Sequence, residues 1–138
     1  MTVGDLVSLA PFEADLRVVG LSGARLRRLV DHCVETSETW YDDDWRDLWV
    51  GHVSGLTVER HHGKAVRAVR LDGDPLDEDR TYRVAVPAIV VYSDRRFDAV
   101  TPDDVLETGD CQTDALVAYA RRTGVEVSLD GRIRYVGR

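Results

Sequence analysis

Residues 14–34 read ADLRVVGLSGARLRRLVDHCV, and a change of period inside this stretch decides the fold class. Over 14–20, Leu16 and Val18 alternate with polar neighbours, the period of two that marks a strand. Ser22 then stands where a helix N-cap is needed, and Leu26, Leu29, Val30, Cys33 and Val34 recur at three- and four-residue spacing. Arg25, Arg27, Arg28 and Asp31 fill the other positions around that predicted helix. A strand followed by an amphipathic helix, within one chain of mixed elements, reads as α+β.

Working outward, 3–9 is short and mixed, and Pro11-Phe12 breaks it before the first strand. Residues 36–49 hold all three tryptophans, Trp40, Trp45 and Trp49, and read as a loop followed by a short helical turn. Residues 53–60 and 64–71 read as a hairpin with Gly63 in its turn, closed by a tight turn at Asp72-Gly73. A β run is predicted over 81–91, where Tyr82, Val84 and Val86 alternate, then a polar loop 93–96 ending at Phe97. Thr113 is the predicted cap of a last helix, 114–123, with Leu116, Val117, Tyr119 and Ala120 for the core and Gly124 as its stop. The tail 125–136 reads as extended with a bend at Asp130-Gly131. Repeats, linkers and low-complexity tracts are absent, so the expectation is one α+β domain over 1–138, a mixed sheet with hairpins packed by two main helices.

With 43% hydrophobic and 31% charged residues the chain is too apolar to be disordered, and 138 residues bury a core without a structural metal. A formal net charge of -7 repels phosphate backbones and anionic lipid, so neither nucleic acid nor membrane is an expected partner. Lys64 is the only lysine among many arginines and Asp outnumbers Glu, a bias that suits a high-salt cytoplasm or a GC-rich genome. Residues 1–9 carry no basic region followed by a long apolar stretch, so a complete chain of this sequence is expected in the cytoplasm. Cys33 falls on the apolar helix face and reads as a buried thiol; its distance in sequence from Cys111 leaves the redox compartment open.

Glu59, His61 and His62 invite a metal reading, but neighbouring strand residues point to opposite faces, so a solvated hairpin tip is the expectation. Asp42, Asp43 and Asp44 lack the glycine and closing glutamate of a calcium loop and read as a solvated acidic run. Zinc-type spacing, a Gly-rich phosphate loop and a nucleophile elbow are all missing. The tryptophans interleaved with those acids admit two readings, a protein-contact patch or a plug beneath the loop.

The order of short motifs carries more information than any one of them. Gly4-Asp5-Leu6, Pro11-Phe12, Leu21-Ser22-Gly23-Ala24, Asp31-His32-Cys33-Val34, Val53-Ser54-Gly55-Leu56, Leu71-Asp72-Gly73-Asp74-Pro75-Leu76, Thr81-Tyr82-Arg83-Val84-Ala85 and Asp130-Gly131-Arg132-Ile133 together resemble the C-terminal domain of the 5′-nucleotidase family. In that family this domain recognises the nucleoside, while a separate N-terminal metallophosphoesterase domain holds two metals and cleaves the phosphate. The resemblance implies a recognition domain with no catalytic residue, metal or cofactor of its own, acting with a metallophosphoesterase domain or subunit in nucleotide catabolism. The family clamps the base between two aromatic rings. The resemblance places Phe12 as one of them and Ile89 at the position of the other, with Tyr92 as its substitute. The Gly-Gly-Asp-Gly loop that follows in the family reads Ser93-Asp94-Arg95-Arg96 here, which makes Asp94, Arg95 and neighbouring Phe97 the remaining substrate-site candidates.

A second reading is a degenerate domain of this family that serves protein contact through Trp40, Trp45 and Trp49, pairing with another copy or with a catalytic partner. An enzyme built on His61, His62 and nearby acids is the third, and adjacent histidines in a turn lack the shaped constellation it would need.

Overall fold

In chain order the elements are α1 (Val3–Leu9), β1 (Asp15–Ser22), α2 (Gly23–Cys33), β2 (Leu56–Arg60), β3 (Val66–Leu71), β4 (Asp74–Pro75), β5 (Thr81–Pro87), α3 (Ala88–Tyr92), β6 (Val105–Cys111), α4 (Gln112–Thr123) and β7 (Ile133–Tyr135). This computed structural model describes residues 2–10, 13–33, 52–61, 66–93 and 97–137, so Phe12, the tryptophans, Asp42, Asp43, Asp44, His62, Asp94 and Arg95 lie outside the described residues. The α+β class holds, and within it the residues cluster into two compact units, Met1–Leu21 with Arg83–Leu129 and Ser22–Tyr82 with Asp130–Arg138.

In the first unit a three-stranded sheet runs β5-β1-β6, and α1 packs on α4. The mixed run at 3–9 becomes helix α1 because Thr2 and Asp5 form a capping box. The Asp5 N–H donates to Thr2 Oγ1 at 3.2 Å, and the Thr2 N–H donates to Asp5 Oδ2 at 2.6 Å. The Thr2 N–H, and then its hydroxyl, hold the Asp5 carboxyl below its usual range. Strand β1 forms as the alternation predicts, yet the core phase differs: Leu16 and Val18 are half-buried, while Val19 and Leu21 are fully buried. Its antiparallel register against β6 breaks between Asp15 and Arg17 and again between Val18 and Val19. Each irregularity shifts which residues face inward, so the sequence parity does not survive along the strand.

Four further departures belong to this unit. The predicted β run over 81–91 stops at Pro87, and Ala88–Tyr92 turns helical with Val90 and Val91 buried. Strand β6 has no counterpart in the sequence reading. Thr113 does not cap α4: its hydroxyl donates to the Ala10 carbonyl at 2.8 Å, and Cys111 occupies the N-cap position. No residue of α4 is fully buried, and Tyr119, expected in the core, is 57% exposed. Gly124 ends the helix as predicted, with φ 74° and its N–H donating to Ala120.

In the second unit the sheet order is β4-β3-β2-β7. The predicted hairpin is present: Val58 pairs with Val69 across β3 and, on its other side, with Ile133 of the parallel strand β7. That central position leaves Val58 without exposed surface. The turn after β3 uses left-handed backbone at Asp72 (φ 52°) and Gly73 (φ 87°), the conformation Asp-Gly supplies most readily. Of the tail 125–136, only Ile133–Tyr135 joins a sheet.

Helix α2 buries Leu26, Leu29 and Val30, the stripe its spacing predicts, and packs on β3. Its polar side chains fasten that strand. Asp31 Oδ1 accepts the Val66 N–H at 2.7 Å, and Arg27 donates to the carbonyls of Val66 and Arg67 at 2.9 and 3.0 Å. Ser22 Oγ accepts the Arg25 N–H at 3.3 Å, so the predicted cap is made. The other first-turn donors go to a neighbouring turn: the Gly23 N–H reaches the Arg80 carbonyl at 2.9 Å, and the Ala24 N–H reaches the Glu78 carbonyl at 3.3 Å. Cys33, at the end of the helix, is half-buried, and burial pushes its thiol up to about 11.

Candidate functional site

Helix α3 is a single short turn, introduced by Pro87 at φ -63° and ψ 147°, which directs the chain out of strand β5. Within it Val90 and Val91 face the core, so Ile89 and Tyr92, three residues apart, share the outer side. They are 57% and 53% exposed, a pair of large apolar side chains presented to solvent together.

Strand β1 supplies the third member of this surface. The Arg17 guanidinium lies over the Tyr92 ring, 5.8 Å from its centroid. Arg17 is held there by donating to the Leu16 carbonyl at 2.9 Å and by a longer contact of 3.7 Å with Asp15. Its side chain is only 14% exposed, so it braces the ring more than it reaches into solvent. The result is a tyrosine fixed on one side by a cation, with its remaining surface and Ile89 open, an arrangement able to take a flat, uncharged ring.

Of the residues predicted for the substrate site, the structure therefore places Ile89 and Tyr92 together on one exposed face. Phe97 differs. It is 5% exposed and belongs to a buried run with Ala99 and Val100, its carbonyl accepting the Val100 N–H at 3.0 Å. Its ring packs the core of the first unit and presents no free face. Arg17 was not singled out by sequence. In an alternating strand it reads as an ordinary polar neighbour of Leu16 and Val18, and a ring supplied from the end of α3 leaves no local signature.

In the second unit, Glu59 sits on β2 and His61 lies against the backbone of Gly137, where an added Cβ would stand 3.2 Å from both Cε1 and Nδ1. Among the described residues no three His, Cys, Asp or Glu side chains gather into a metal-binding group. Arg60 is buried at 4% exposure on the same strand, its guanidinium 5.7 Å from the centre of the Tyr135 ring. That buried cation is a second feature that alternation alone did not reveal. Among the described residues no helix is long and apolar enough to cross a membrane.

Residues 1–102 match the family described as 5′-nucleotidase, C-terminal domain. Solved structures with the same fold include a 5′-nucleotidase precursor from Thermus thermophilus, 26% identical with a TM-score of 0.76, which covers 100% of this chain and 28% of its own. A NAD nucleotidase from Haemophilus influenzae is 15% identical with a TM-score of 0.72, covering 98% of this chain and 26% of its own. A putative 5′-nucleotidase from Staphylococcus aureus is 15% identical with a TM-score of 0.71, covering 87% of this chain and 26% of its own. The chain thus spans about a quarter of the length of these relatives. No curated protein matches the sequence.

Proposed function

From the premise that this chain belongs to the family of 5′-nucleotidase C-terminal domains, we propose that it is the nucleoside-recognition part of a nucleotide phosphohydrolase. The supporting observation is the exposed face of α3, where Ile89 and the Arg17-braced Tyr92 stand together. A purine is a flat, weakly polar ring. Tyr92 gives it a stacking surface already fixed in orientation, and Ile89 gives it an apolar contact alongside. Phe12, on the resemblance, closes the clamp from the other side.

Hydrolysis of a phosphate ester at neutral pH needs an activated water and neutralisation of the phosphoryl oxygens, commonly by two metal ions. On the family resemblance, that chemistry is assigned to a metallophosphoesterase unit, joined to this one or separately encoded. This chain's part is to hold the nucleoside so that the phosphate is presented to that unit.

The test is calorimetric titration of the chain with adenosine and with adenosine monophosphate. Stacking on one ring contributes about 1–3 kcal/mol, so Tyr92→Ala weakens binding on the order of tenfold to a hundredfold while the half-exposed ring costs little in melting temperature. Nucleotide hydrolysis with manganese, cobalt or zinc is expected only when a metallophosphoesterase unit is added. Binding that is absent, or indifferent to both Tyr92→Ala and Ile89→Ala, refutes the assignment.

A further inference from the structure

The fold itself gains little from Arg17. A guanidinium carries several N–H donors. Among the described residues that of Arg17 makes one hydrogen bond, to the carbonyl of its chain neighbour Leu16 at 2.9 Å, and the carboxylate it faces, on Asp15, stands 3.7 Å away and is itself 59% exposed. A cation brought to 14% exposure gives up hydration that contacts so few return only in part. An apolar side chain of the same length would serve folding as well or better at this position. Residues that break a local rule in this way concentrate at working sites.

What the cation does meet is Tyr92. Its guanidinium lies over the ring, and among the described residues this is the one polar contact Tyr92 makes, its hydroxyl donating to none of them. Tyr92 is the last residue of a five-residue helix and half-exposed, so without Arg17 the ring would turn among rotamers at a helix end. The cation also acts on the ring's electrons. An aromatic face is negative, and a positive charge held against one side leaves the opposite side less so.

We infer that Arg17 is the positioning and specificity-determining residue of the α3 face: it holds the Tyr92 ring in one orientation and sets the ring's open side to favour neutral, electron-rich bases over cationic ones. This rests on the nucleoside-recognition reading above. A ring already fixed spares the ligand the cost of fixing it, which is about two- to tenfold in affinity. A cationic base stacked about 3.5 Å beyond the ring would lie roughly 9 Å from the guanidinium, and that repulsion, offset in part by Asp15, is again about two- to tenfold.

The test titrates adenosine and 1-methyladenosine, whose base is cationic at neutral pH, into the parent chain and into Arg17→Met and Arg17→Lys. Methionine keeps the stem and removes the charge, while lysine keeps the charge. Ring orientation is read without ligand, from the three-bond NMR couplings about χ1 of Tyr92. The parent is expected to show one rotamer and R17M an average of several. R17M is expected to weaken adenosine about two- to tenfold, to narrow its lead over 1-methyladenosine by a similar factor and to melt no lower than the parent, with R17K keeping most of the preference. In the Tyr92→Ala background Arg17→Met is expected to leave adenosine affinity unchanged, because the ring through which it acts is gone. A parent that binds neither nucleoside overturns the recognition reading and this inference with it. A parent that binds adenosine with a preference unchanged in R17M overturns this inference alone, as does a Tyr92 ring already averaged in the parent, or a loss of adenosine affinity from R17M that persists without Tyr92.

Discussion

Gly23 opens helix α2 where the turn Asp77 to Arg80 crosses it, and the closeness of that crossing makes Gly23→Ala a sharp test of the packing. A Cβ at Gly23 would lie 2.0 Å from the Asp77 carbonyl oxygen, 2.7 Å from the Asp77 carbonyl carbon and 3.2 Å from the Glu78 Cα. Such contacts essentially never fall under 3.0 Å, so the turn must retreat by at least 3.0 − 2.0 = 1.0 Å. The obstacle is backbone, which cannot swing aside as a side chain can. The same retreat stretches the bonds from the Gly23 N–H to Arg80, now 2.9 Å, and from the Ala24 N–H to Glu78, now 3.3 Å. The buried Gly23 N–H then loses its acceptor, at about 1–3 kcal/mol, while the N–H of exposed Ala24 can turn to water. Alanine's better helix propensity returns at most about 1 kcal/mol. The net expectation is a loss of about 1–2 kcal/mol, against the 5–15 kcal/mol that typically separates folded from unfolded. Urea unfolding followed by circular dichroism reads it as a lower midpoint at unchanged m-value. Gly4→Ala in α1 is the control. Its Cβ would meet only Thr2 Oγ1, at an ordinary 3.6 Å, so the same substitution there is neutral or stabilising. A Gly23→Ala midpoint equal to or above the parent's refutes the close crossing and the reasoning built on it.

Removing the Asp31 carboxylate by Asp31→Ala strands the N–H of buried Val66 and costs about 1.5–3 kcal/mol, while Asp31→Asn, which keeps an acceptor, recovers part of it in the same unfolding assay. Burial raises the Cys33 thiol from 9.0 to about 11, so the unfolded chain ionises first as pH rises. Stability linked to this thiol is complete below pH 9 and falls away between about 9 and 11, by up to about 2–3 kcal/mol. Cys33→Ala unfolding midpoints across that window should lack the step, and a step that persists unchanged assigns it to other groups. Adenosine affinity in the Tyr92→Ala and Ile89→Ala chains checks the α3 face directly. Loss of affinity in only the tyrosine variant would leave Ile89 as a neighbour without a share in the contact.

What the sequence determined by itself is what local physics repeats along the chain. Helix α2 was legible because five apolar residues at helical spacing and a serine cap agree, and its buried face is the one they mark. The β2–β3 hairpin was legible because two strand-like runs flank Gly63 and an Asp-Gly pair, which favours left-handed backbone, marks the end of the second. The ordered motifs gave the family, since backbone approaches such as that at Gly23 leave their residue types behind wherever they occur. Only the tertiary structure decided the rest. Ala88-Ile89-Val90-Val91-Tyr92 has the composition of a strand, yet it coils after Pro87 so that two of its valines reach the core. Strand β6 exposes all but its two end residues, so no alternation announces it, and it exists because β1 offers a ladder of hydrogen bonds. The bulges in that ladder then moved the core from Leu16 and Val18 to Val19 and Leu21. For the candidate site, the resemblance named Ile89, Tyr92 and Phe97; the fold leaves the first two exposed on one face and buries the third. Arg17 carried no signal in the sequence, since its meaning depends on a ring that only folding brings beside it. Periodicity and turn chemistry are written in neighbours along the chain, whereas strand pairing, bulges and cation–ring contacts join residues far apart in it, and their energies appear only once the chain has closed on itself.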